Sequence, residues 1–180
     1  MKPLTAGPLT FLFLLWVFGA YALVALLLDW SGLSSHSNRF IESIASFIPS
    51  IQGYAELARN RDKAVLELCL AWLFSLAIPA LTVPALDWDR VYAHTVRTGK
   101  QLRNGLHFLA TGVLLLVLTL YPHPPSGSRR AARMILSFLQ SDSAFIWGLA
   151  LIMLAGFGWL MSIAGLIQLY KVFTKQGQAQ

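Results

Sequence analysis

"AVLELCLAWLFSLAIPAL", residues 64–81, is an apolar run holding one charge, Glu67, and the only cysteine of the chain, Cys69. Continued to Leu86, it meets the roughly 20 residues, about 17 to 25, that a membrane-crossing helix requires. Three more runs share its character, at about residues 9–28, 104–121 and 144–170. The third is short if counted from Leu106 and reaches spanning length by taking in Asn104 and Gly105. The composition agrees: 56% of the 180 residues are hydrophobic and 12% charged, against about 25% charged in a soluble domain. A soluble helical protein would show a polar face along each run, and the first, third and fourth runs have none. The expectation is an all-α polytopic membrane protein, a bundle of four transmembrane helices in one domain over residues 1–180.

The formal charge of +6 raises the question of nucleic acid. The basic residues sit in short segments at membrane edges without aromatic interleaving, so membrane lipids with anionic head groups are the expected partners and nucleic acid is not. A single cysteine excludes an internal disulfide and a CxxC redox pair. Lys2 ahead of an apolar run resembles a signal peptide, but the run exceeds an h-region of about 7 to 15 residues. It closes on Asp29 and the interfacial aromatic Trp30, so a retained anchor is expected. Lysine and arginine divide evenly, seven to each side, so the positive-inside rule gives no orientation by count. The compact, basic second loop and the acid-free C-terminal tail tip the reading toward both termini inside.

The segments on the other side are not plain linkers. In "NRFIESIASFIPSIQGYAELARNRDK", Phe40, Ile44, Phe47, Ile51, Tyr54 and Ala58 recur every three or four residues, the mark of a helix with one apolar stripe. Pro49 should kink it. Between the third and fourth runs, "YPHPPSGSRRAARMILSFLQSDSA" opens on a Pro/Gly/Ser break. It continues as a short basic amphipathic helix with Ile135, Phe138 and Leu139 on its apolar side. Both read as interfacial helices with their apolar faces in the acyl boundary, or as docking surfaces for another protein.

Glu67 lies about one turn inside the second run, four residues after Lys63, so on a helix the two side chains face each other near the interface. An interfacial pair of Lys63 and Glu67 is the expected arrangement, and a proton- or ion-coupling carboxylate is the alternative. Cys69, flanked by leucines, reads as a small buried hydrophobe. His107 opens the third run at head-group level, while His36, His94 and His123 belong to no cluster with metal-ligand spacing. Asp87 and Asp89 flank Trp88 where the second run leaves the membrane, and read as solvated charges beside an aromatic belt. No phosphate loop, catalytic triad or HExxH motif is present. Catalysis, cofactors and metals are therefore not expected.

The most specific signal is in the fourth run. Gly148, Ala155, Gly158, Ser162 and Gly165 fall within about a quarter of the helix circumference at 100° per residue. Such a face lets backbones approach closely in lipid, either within the bundle or against a different protein. In the second run, Pro79 should free the carbonyl of Ser75, whose own hydroxyl could help satisfy it.

In its layout the chain resembles the colicin A-type immunity proteins, short four-span proteins of the bacterial inner membrane that neutralise pore-forming bacteriocins. The resemblance covers nearly the whole chain in architecture. It is carried by "RFIESIASFIPSIQ" before the second run, "VRTGKQLRNG" before the third, "SRRAARM" before the fourth and the exit "LYKVFTKQ". It implies an inner-membrane location, cytoplasmic termini and recognition of a toxin's hydrophobic hairpin within the bilayer. It assigns no site residue. A structural subunit or assembly factor of a larger membrane complex for secretion, conjugation or respiration would show the same small faces and amphipathic connectors. A small transporter or channel is a third class, supported by Glu67 alone.

Overall fold

The computed structural model describes residues 6–30, 39–88, 101–121 and 144–176. Among these residues it is all helical, with six α-helices and no strand. They are α1 (Ala6–Trp30), α2 (Arg39–Phe47), α3 (Pro49–Ala55), α4 (Arg61–Ala85), α5 (Gln101–Leu120) and α6 (Phe145–Gln176). Three are long and apolar enough to cross a membrane: α4, α5 and α6, the last over Phe145–Thr174. α1 is 25 residues long, with Leu15–Leu27 as its described apolar stretch. The basic amphipathic helix expected at 129–139 lies outside the described residues.

Local chemistry sets the ends of α4. Its N-cap Asn60 accepts a hydrogen bond from the Lys63 amide at 3.2 Å, satisfying one donor of the first turn. At the other end, Leu86 turns to an extended conformation and the Trp88 indole donates to the Val83 carbonyl at 2.8 Å. A last-turn acceptor that would otherwise lack a partner is thereby satisfied. Pro79 and Pro84 are carried inside the helix. The Ser75 hydroxyl, expected to serve its own carbonyl, donates instead to Trp72 O at 2.7 Å.

Directions follow from the glycines. A Cβ added at Gly112 would meet Ser162 N at 2.5 Å and Gly158 O at 2.7 Å, and one at Gly105 would meet Leu169 and Gln168. Rising numbers on α5 thus meet falling numbers on α6, and the two are antiparallel. Gly148 touches Ala71 and Gly156 touches Ile78, so α4 and α6 are parallel. The three spans alternate in direction, as consecutive crossings must.

The spans do not close into the expected bundle. α6 packs along both α4 and α5, α1 lies on α4 with a small contact to α6, and α4 and α5 have no substantial contact. The result is a row in the order α5, α6, α4, α1. Within their apolar windows, 61% of α4 is buried but only 17% of α5, so α4 is the core span and α5 an edge.

The first connector also departs from its expected place. Pro49 divides it into two helices, with Ile48 extended at φ −121° and ψ 92°. A residue before proline is pushed out of the helical region, and proline is accommodated at the first position of the next helix. Ala45, Ile51, Tyr54 and Ala55 are buried in the same core as Leu68 and Ile152. Glu42, Ser43, Ser46, Gln52 and Glu56 point outward. The apolar stripe is therefore covered by protein, chiefly α4, where acyl chains were expected. Phe47, placed on the stripe by periodicity, is 83% exposed because the helix ends there.

Candidate functional site

Glu67 lies in a stretch of α4, Ala64 to Cys69, in which every residue is buried. Glu67 itself is 5% exposed, so its carboxyl group is enclosed by protein and does not reach toward head groups. Tyr21 of α1 is fully buried and donates its hydroxyl to the Glu67 main-chain carbonyl at 3.3 Å. The Tyr21 ring stacks on Phe145 at 5.2 Å and meets Phe74 edge-on at 5.8 Å. These contacts pin α1 to the start of α6 and to α4. Lys63 is half-buried one turn earlier. Cys69 is buried, with its sulfur 3.7 Å from the Ile41 carbonyl of α2. A small hydrophobe under the connector is the role this position gives it.

The small-residue face of α6 is occupied by the chain itself. A Cβ at Gly165 would lie 2.6 Å from Leu109 N, and one at Gly158 would lie 3.0 Å from Leu116 Cγ and 3.2 Å from Gly112 O. Ser162 donates to Gly158 O at 2.9 Å, so its polar group is satisfied within α6 and the residue packs as a small one against Gly112. Gly148 turns instead to Tyr21 and Ala71, and Ala155 is fully buried in the core. Of the two uses open to this face, packing within the chain is the one observed. It is not free for a partner.

His107 is exposed on the second turn of α5, and Asp87 is exposed just past α4. His36, Asp89, His94 and His123 lie outside the described residues. Among the described residues no group of three or more His, Cys, Asp or Glu side chains is placed to hold a metal ion.

One concavity was not foreseen. Tyr54 of α3, Leu118 and Thr119 of α5, and Trp147, Ala150, Leu151 and Leu154 of α6 line a groove of about 40 Å³. That exceeds the roughly 10 to 15 Å³ that one water needs, and the walls are mostly apolar. Thr119 turns its hydroxyl back to the Leu115 and Leu116 carbonyls at 3.1 and 2.9 Å. Tyr54 and Trp147 meet edge-on at 5.0 Å and close one end. Leu118 and Leu154, both largely exposed, form the outer rim. The groove therefore opens onto the exposed side of α5 and α6. In the sequence, only the two aromatics with polar tips and the small Ala150 hinted at it. Which helices meet there is a long-range fact that local spacing does not carry.

The described chain is thus an all-helical protein with three helices suited to crossing a membrane. Comparison with protein families, curated proteins and solved structures finds no match.

Proposed function

We propose that this protein is a non-enzymatic integral membrane protein, with both termini cytoplasmic, that recognises an apolar transmembrane segment of another membrane protein. The groove between α3, α5 and α6 is the observation that carries this reading. It is a lipid-facing concavity with a small residue, Ala150, between exposed leucines. Association in lipid depends on shape, because hydrocarbon removes the hydrophobic drive between helices. A groove bordered by an edge span gives such shape. In its most specific form the partner is the hydrophobic hairpin of a pore-forming bacteriocin, and the protein confers immunity in a bacterial inner membrane.

The test fills the groove. Ala150→Leu should abolish protection, measured as membrane depolarisation in cells challenged with a cognate pore-former, while membrane abundance stays at the wild-type level. Ala150→Gly should protect. Protection by Ala150→Leu equal to wild type would exclude the groove as the recognition surface. If no pore-former is countered, a subunit role in a larger membrane complex becomes the better reading, and co-purification in mild detergent would identify that complex.

A further inference from the structure

On α5, Gly105 and Gly112 turn toward α6. At 100° per residue, Arg103 and His107 stand about 160° and 200° around the helix from Gly105, on the side facing away from α6. Both are exposed, and among the described residues no carboxylate pairs with either. Ionisable side chains of a span ordinarily face the protein interior or a water-filled cavity, so an outward basic pair near a helix end is suited to an anionic partner from the bilayer.

Depth identifies that partner. Gly105, on the second turn of α5, is level with Gln168 and Leu169 of α6, and the next exposed aromatics beyond them on α6, Tyr170 and Phe173, approach the membrane–water boundary. Arg103 therefore stands on the head-group side of that level, and His107 one helical turn deeper. Below them Ala110 is small and exposed, and Leu114 is exposed further into the hydrocarbon. We infer that Arg103 and His107 form a binding site for the phosphate of an anionic phospholipid, whose acyl chain descends past Ala110 and along Leu114. The guanidinium fork matches phosphate oxygens two at a time, and an imidazole N–H donates to a third. Anionic lipid is favoured over zwitterionic lipid because no ammonium group offsets the attraction. The inference rests on α5 being a span, and is independent of any toxin.

The full-length chain, extracted from vesicles of equal phosphatidylglycerol and phosphatidylcholine, is analysed by native mass spectrometry for retained lipid. Wild type should retain phosphatidylglycerol preferentially. Arg103→Gln should lower that preference about fivefold, the scale of one cation at a membrane surface. Arg103→Lys should keep most of it. His107→Phe should weaken it, whereas His107→Gln, which still donates an N–H, should not. Free inorganic phosphate should fail to displace the lipid. An unchanged preference in the Arg103→Gln/His107→Phe double variant overturns the proposal, as does displacement by phosphate. Loss of a stoichiometric protein partner from that variant, with lipid preference intact, assigns the pair to a protein contact and equally overturns it.

Discussion

Gly112 and Gly19 are both mid-helix glycines, yet a methyl group would act on them in opposite ways. At Gly112 it would enter the backbone of α6, whereas nothing lies within 4 Å of a Cβ at Gly19. Gly112→Ala should destabilise the protein by about 1 to 3 kcal/mol, the range for overpacking a filled contact. Gly19→Ala should stabilise it by about 0.5 to 1 kcal/mol through helix propensity. Unfolding in mixed micelles would measure both. Bulk at Gly158 likewise acts first on the contact between α5 and α6, so Gly158→Leu should lower abundance before it could report on a partner. For Glu67, pairing with Lys63 remains our proposal, with the carboxyl group buried among protein and not at the interface. Glu67→Gln should then leave membrane level unchanged and stability within about 1 kcal/mol, the scale of one hydrogen bond. A fully inactive variant at normal abundance would instead show that the carboxyl group couples protons or ions.

At the scale of the element, the helix pair α2 and α3 acts as a cover over the first turns of α4. Periodicity in the sequence made its apolar stripe legible, and Pro49 made its division legible. What it packs on was not legible, because a stripe reads the same whether it rests on acyl chains or on a neighbouring helix. The polar outward residues Glu42, Ser43, Ser46, Gln52 and Glu56 fit both settings. The edge-on contact of Tyr54 with Trp147 ties the cover to α6. Removing a buried aromatic ring costs about 3 to 5 kcal/mol. Each 1.4 kcal/mol lost from the closed state raises the open population about tenfold. In intact membranes Cys69 should therefore resist a membrane-permeant maleimide, and Tyr54→Ala should raise its labelling rate at least about tenfold. Rapid labelling of the wild-type chain would contradict the cover.

For the molecule as a whole, the apolar runs placed α4 and α5 within a few residues of their observed ends and α6 within a few at its start, while α6 runs on past the expected end to Gln176. The reason is that span length is dictated by bilayer thickness and leaves a long, uninterrupted signal. The lateral order of the helices left no such signal, and a row was observed where a bundle was expected. The glycine and serine face of α6 was correctly legible as a surface for close approach, but spacing alone could not say whose backbone approaches. The alternation of α4, α5 and α6 puts the end of α4, the start of α5 and the end of α6 on one side, opposite the end of α5 and the start of α6. Reporters active only in the periplasm should fail at Gly99 and Gln180 and score at Ser126 and Ser34 if the termini are cytoplasmic. A mirrored pattern would invert the protein, and a split between Gly99 and Gln180 would contradict the alternation itself.

The central place of α6 has a consequence for biosynthesis. Of the described helices it is the last in chain order, and it is also the one that α4 and α5 both pack against while having no substantial contact with each other. Until residue 145 emerges, α5 has no long partner, and its face of Gly105, Gly112 and Thr119 is bare in the lipid. A chain made only as far as α5 therefore lacks the surface on which α5 packs. A chain stopped after Tyr121 should insert but be degraded quickly. Supplying residues 144–180 as a separate polypeptide should lengthen its half-life in a pulse-chase experiment, and Gly112→Ala should cancel that rescue. A truncated chain as long-lived as the whole would mean that the earlier helices hold together without α6.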